Sequence, residues 1–249
     1  MKLCLMICAA AASTALIAED AFSAATYAVM NVPNANTDTV IAVPWVGLGG
    51  GDITISNLVN TTTLDEGDEL YMYDNGTWYE YTKSSSGTWT GATTITMSGD
   101  HTAESQVVQR GTGLILHRSS ANGNVFLCGR VDSGTISTTL AGATTVEGKT
   151  VEGKTLFANP TAEEVDITTK FAGATEGDTI MIPKSDGKSD KYTYNGTEWG
   201  KFEDVEDGTV IVAGQTFKRY TQQWQKGGKI PAGTGAWYTT TGKGYKVTW

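Results

Sequence analysis

The sequence predicts an all-β protein, organised as two tandem antiparallel β-sandwich or small-barrel domains related by internal duplication. Three observations carry that expectation. Thr contributes 39 of 249 residues, beside 30 Gly and only 5 Pro, a composition that suits strands and is poor material for long helices. Turn signals recur roughly every 8–12 residues, the spacing of a sandwich or small barrel. Five landmarks then recur in the same order in the two halves, which is the signature of a repeat.

Taken in order, the chain opens on a predicted secretory signal over residues 1–25. Lys2 supplies a positive start, "LCLMICAAAASTALIA" an apolar run, and Ser23-Ala24-Ala25 the small residues that a signal peptidase reads. No later apolar run approaches the roughly 20 residues a spanning helix needs. The first β-domain is placed at 26–131, a small-residue polar connector at 132–150, and the second β-domain at 151–249. Within the connector, "VEGKTVEGKT" copies five residues back to back. Its first copy reads as an exposed extension, and its second as the entry into the next strand.

The recurring landmarks set the strand plan. "VIAVPW" (40–45) answers "TLFANP" (155–160), and each leads to an Asp-Ile-Thr. Glu66-Gly67-Asp68 before "ELYMYD" answers Glu176-Gly177-Asp178 before "TIMIP". Gly87-Thr88-Trp89 answers Gly196-Thr197-Glu198-Trp199. "RGTGLIL" at 110–116 answers "AGTGAWY" at 232–238, and each copy runs on to a closing strand. A phosphate-binding Gly-rich loop hands over to a helix whose N-terminal amides face the anion. Both Gly-Thr-Gly copies precede strands instead, so they read as turns. Asn75-Gly76, Asn122-Gly123, Asp186-Gly187 and Asn195-Gly196 mark further tight turns. Helical pattern is confined to about one turn each within 100–110 and 161–170.

The formal net charge of −9 argues against nucleic acid and against anionic lipid as partners. Catalytic groups are sparse. His101 and His117 are the only histidines, too few for a multi-histidine metal site, and no Gly-x-Ser-x-Gly elbow is present. A tight turn at Asn122-Gly123 would set His117 opposite Cys128, the one cysteine beyond the signal, as a thiol–imidazole pair. The competing reading of Cys128 is an inert thiol in an apolar strand. Acidic groups cluster at 65–69, 163–166 and 203–207 without the spacing of a calcium loop, and read as solvated charge. Neither a metal nor a cofactor is expected.

Aromatic side chains are the remaining candidates for a site. Trp78, Tyr79, Tyr81 and Trp89 concentrate in one hairpin region, and Tyr192, Tyr194, Trp199 and Phe202 in its counterpart. On an exposed sheet face, Tyr79, Tyr81 and Trp89, or Tyr192, Tyr194 and Trp199, would stack against sugar rings. The alternative is that these rings fill the core, favoured for the tryptophans, with hydroxyls reaching the rim.

The pattern N-P at 159–160, E-G-D at 176–178 and P-A-G-T-G-x-W-Y at 231–238 resembles that of uncharacterised exported bacterial β-repeat proteins. The resemblance is strongest in the second half; in the first, Val43 stands in place of Asn159 and Leu-Ile in place of Trp-Tyr. It implies export and β-architecture and no activity. The sequence therefore points to an exported, non-enzymatic structural, matrix or adhesive protein of the cell surface. Its partners are expected to be itself, through strand edges such as "TDTVIAVPW" or "GYKVTW", or surface glycans. A carbohydrate-binding module using exposed aromatics is the alternative.

Overall fold

The structure is a computed structural model. It describes residues 38–43, 53–58, 64–74, 76–91, 102–103, 105–119, 135–161, 163–184 and 187–249, together with the backbone of 26–32 and 125–131. The signal segment 1–25, His101 and the Asn122-Gly123 turn lie outside the described residues.

The fold is all-β and sandwich-like, with every strand pair antiparallel. In the first half, β1 (Thr26–Val32) pairs with β7 (Val125–Val131). Between them in sequence lie β2 (Asp38–Ala42), β3 (Glu69–Asp74), β4 (Thr77–Lys83), β5 (Trp89–Thr90) and β6 (Gly113–His117), which form one sheet in the order β2-β6-β3-β4-β5. In the second half, β8 (Ser137–Leu140) pairs with β19 (Tyr245–Thr248). Between those lie β11 (Gly153–Ala158), β13 (Thr179–Pro183), β14 (Ser189–Tyr194), β15 (Trp199–Val212), β16 (Gln215–Lys226) and β18 (Gly235–Thr240). They form a sheet ordered β11-β18-β13-β14-β15-β16. The strand order is the same in both sheets, with β16 added at the far edge of the second.

Small elements complete the chain. A hairpin of β9 (Thr144–Val146) and β10 (Lys149–Val151) turns at Glu147-Gly148, both at positive φ. It is exposed, and it carries the first "VEGKT". The second copy leads into β11. The expected connector 132–150 is thus not a plain linker, because β8 within it closes onto the last strand of the chain. β12 (Val165–Asp166) pairs with β17 (Lys229–Ile230). One turn of helix, α1 (Ile167–Lys170), is capped by Asp166, whose carboxylate accepts the Thr169 N–H at 3.0 Å. Around Thr102 a single hydrogen-bonded turn forms, with Gln106 N–H donating to the Thr102 carbonyl at 2.9 Å.

Strand alternation decides what each half buries. In β3, Leu70 and Met72 face the core, and Tyr71 and Tyr73 the other side. In β4, Tyr79 pairs with Met72 and Tyr81 with Leu70, so both tyrosines point inward, while Trp78 is 42% exposed. The tryptophan expected in the core is therefore outside it, because the register places it beside Tyr73 rather than beside an apolar core residue. The first core joins Leu70, Met72, Tyr81, Leu114 and Leu116 to Ile53, Ile55 and Val108. The second joins Phe157, Ile180, Trp199 and Tyr238 to Ile167, Phe171 and Val247.

The halves meet backbone to backbone. Thr112 bridges to Phe157, and Thr234 bridges to Ile41. In the landmark alignment Thr112 corresponds to Thr234 and Phe157 to Ile41, so the contact is reciprocal. The glycines that follow these threonines are needed for close approach. A Cβ at Gly113 would lie 2.7 Å from the Phe157 carbonyl oxygen, and one at Gly235 would lie 2.0 Å from Val40 Cγ1. The Gly-Thr-Gly segments are thus more than turns: Gly111 and Gly233 have positive φ, and the second glycine of each admits the other half's edge strand.

Gly113→Ala is expected to destabilise by about 2–3 kcal/mol, because the obstacle is backbone. Gly235→Ala should cost at least as much, because Val40 is short and β-branched and its own Cβ would lie 3.0 Å from the added methyl, so relief needs the strands to move apart. Urea unfolding checks both values, and negligible losses would contradict the contact.

Candidate functional site

Tyr81 is fully buried, and Tyr79, Trp89, Tyr192 and Trp199 are each at most 7% exposed. Tyr194 is half-buried, packed on Trp199 at 5.6 Å between ring centroids. Five of the six expected sugar-stacking rings therefore belong to the two cores, because their parity matches that of the apolar strand residues. The Trp199 indole N–H donates to the Phe171 carbonyl at 3.2 Å, and Lys83 sits over the Trp89 ring. A ring held this way offers no face to a ligand.

The opposite parity produces the accessible aromatic group. Tyr73 lies 5.1 Å from Trp78 and 5.2 Å from Trp237, and Trp78 lies 5.5 Å from Trp237, all edge-on. Tyr71 joins at 6.5 Å from Trp78. Trp237 belongs to the second half, so the group forms only where the outer faces of the two sheets come together. Tyr73 also lines a cleft of about 290 Å³ between the halves, near the small end of ligand sites. Thr112, Thr138, Thr155, Gln106, Gln109 and Arg110 border it. The Thr138 hydroxyl is held by the Trp249 indole N–H and the Gly111 carbonyl, and the Thr155 hydroxyl accepts the Ala141 N–H, so the wall is polar but partly engaged within the protein. The sequence carried the signal for this group in the outward parity of Tyr71 and Tyr73, but the arrival of Trp237 needs the inter-half contact.

The Glu-Gly-Asp landmarks form matching buried corners. In the first, Asp65 N–H donates to Asp68 Oδ2 at 2.9 Å; in the second, Thr175 N–H donates to Asp178 Oδ2 at 2.8 Å. Both aspartates are fully buried. Asp68 is compensated by the buried Arg118, with Nε 3.3 Å away, and by the Ser119 N–H and hydroxyl. Asp178 is compensated by the hydroxyls of Tyr238 and Thr240. These carboxylates hold strand entries together and face no opening. The acidic group at 163–166 is likewise occupied: Glu164 pairs with Lys229, and Asp166 caps α1.

The His117–Cys128 pair does not form across a hairpin. His117 in β6 lies opposite Asp38 and Glu69, whereas Cys128 in β7 lies opposite Val29. The acid beside His117 is Asp38, at 2.7 Å from Nδ1. Among the described residues no group of three or more His, Cys, Asp or Glu converges as a metal site, and no helix is long and apolar enough to cross a membrane.

Comparison with protein-family models, with curated proteins and with solved structures finds no match for this chain.

Burial pushes the Tyr81 phenol up to about 12. It also raises Tyr192, Tyr238 and Tyr245, with the hydrogen bond to Asp178 adding to the rise at Tyr238. A raised native value means that the folded state holds the proton more tightly. The associated stability is complete below about pH 10 and is lost as pH climbs through about 12. Alkaline absorbance titration of the ten tyrosines should resolve an early exposed set and a later set that ionises with unfolding. One transition near pH 10 for all ten would contradict the burial.

Proposed function

We propose that this chain is an exported, non-enzymatic structural, matrix or adhesive component of a cell surface, acting through contacts and associating with itself. The observation that carries the reading is the ribbon of β15 and β16. Only Trp199 and Gly200 of β15 pair with β14. From there the two strands continue as partners of each other out to the Ala213-Gly214 turn, about 40 Å at strand rise. Six of the ten large apolar residues exposed among the described residues lie on it: Phe202, Val210, Ile211, Val212, Phe217 and Tyr220. An isolated two-stranded ribbon is marginal in water, and exposed apolar groups at this density suit a contact surface. The strand edges expected at "TDTVIAVPW" and "GYKVTW" offer further contact surfaces: β2 ends its sheet with an isolated bridge at Ile41 on its outer side, and β19 has β8 as its one strand partner among the described residues.

Export rests on the signal-like segment 1–25. The domain reading, 26–131 and 151–249 as duplicated units, is supported by the common strand order, the matching aspartate corners and the reciprocal glycine contacts. The placement of β8 favours starting the second unit before residue 151. Multi-angle light scattering on the mature protein should show mass rising with concentration. A strictly monomeric protein at high concentration would overturn the self-associating reading.

A second reading, binding of surface glycans, is favoured by the meeting of the Tyr73–Trp78–Trp237 group with the polar cleft. Glycan-array binding should fall at least about tenfold in Trp78→Ala and in Trp237→Ala. Silence of the wild-type protein across plant, host and bacterial glycans would remove this reading.

A further inference from the structure

The β15–β16 arm has two faces of different design. Residues paired across the ladder share a face, so Phe202 and Trp224 stand together at the base, 5.1 Å apart and edge-on. Moving outward on that face come Asp204, then Tyr220 beside Glu206, then Lys218, then Ile211 near the tip. The bulge at Asp207-Gly208, where Gly208 takes a positive φ, keeps this parity on the outer segment. The order from base to tip is therefore aromatic, acidic, tyrosine, basic, aliphatic.

That order is complementary to its own reverse. With two arms laid face to face and pointing in opposite directions about Tyr220, the aromatic base of each meets Ile211 of the other. Like strand then lies over like strand, so Asp204 of each reaches diagonally to Lys218 of the other, and Glu206, neutralised by its own Lys218, sits beside the axis. A two-fold contact requires such reciprocity, with residue i meeting j and j meeting i. Among the described residues Asp204 makes no ion pair within its own chain, whereas Lys218 reaches Glu206 at 2.7 Å. The opposite face lacks the pattern. Its large exposed apolar groups, Val210, Val212 and Phe217, lie near the tip, with only the half-buried Val205 at mid-arm and the charged Lys201 and Glu203 at the base, so no aromatic base answers the tip.

We propose that the arm is a dimerisation element whose Phe202–Trp224–Tyr220–Ile211 face packs antiparallel on the same face of a second copy, with Asp204 and Lys218 paired between chains. The proposal rests on the self-associating reading above and specifies its contact. The covered strip is about 10 Å wide and about 30 Å long, which buries roughly 600 Å² in total, below the range of stable specific interfaces and suited to a weak, transient contact. A reversible dimer at micromolar or higher concentration is the expected behaviour.

The test is charge reversal followed by mixing, read by sedimentation velocity, with circular dichroism to verify the fold. Asp204→Lys and Lys218→Asp should each weaken self-association at least about tenfold. An equimolar mixture should recover it, because each contact in the mixed dimer again joins opposite charges. Two folded variants that fail to recover on mixing would overturn the proposal. Variants that associate like the wild type would also overturn it while leaving self-association elsewhere intact. A wild type that stays monomeric throughout would remove both readings. Cosedimentation with neutral phosphatidylcholine vesicles in place of dimers would assign the arm to a lipid surface and equally overturn the proposal.

Discussion

The close approach of the two sheets at Gly113 and Gly235 is the constraint on which the rest of the molecule depends. Backbone of one half touches the edge strand of the other at two reciprocal places, and any side chain at either glycine would occupy the space of a neighbour. This contact brings Trp237 against Tyr73 and Trp78 and encloses the cleft beside them. Ala158 N–H donates to the Gly111 carbonyl at 2.9 Å, adding a direct hydrogen bond between the halves. An apolar interface alone would tolerate sliding, whereas backbone hydrogen bonds at fixed positions hold one arrangement.

Inside each half, a buried aspartate fastens the entry of a central strand. Leaving such a charge without partners costs several kcal/mol, so each corner must supply compensation, and the two do so differently. Asp68 is answered by a cation, Arg118, and Asp178 by the hydroxyls of Tyr238 and Thr240. The backbone requirement is shared: a carboxylate that accepts an N–H three residues back closes the turn. The same backbone geometry is therefore met by different surrounding side chains, which explains why the landmark is visible in the sequence and its partners are not.

Legibility followed the range of the forces. Strand class, the Glu-Gly-Asp corners, the order of landmarks and the single helical turn near 161–170 depend on residues a few positions apart, and all were readable. The orientation of the aromatics was not. Tyr79 and Trp78 alternate with equal regularity, and only pairing with Met72 and Tyr73 decides which faces inward. The conditional His117–Cys128 pairing does not arise for the same reason, because it needed a local hairpin and β6 and β7 join different partners.

Composition and short-range turn chemistry thus sufficed for an all-β chain with antiparallel pairing, since glycine tolerance of positive φ and strand alternation are local properties. Tertiary structure alone decided that the second glycine of each Gly-Thr-Gly serves close approach. It likewise decided that Trp78 and Trp237 meet, and that β15 and β16 run outward as an arm with one self-complementary face. Those outcomes depend on strand register and, for the glycines and the two tryptophans, on contacts between the two halves of the chain, and a linear pattern carries neither.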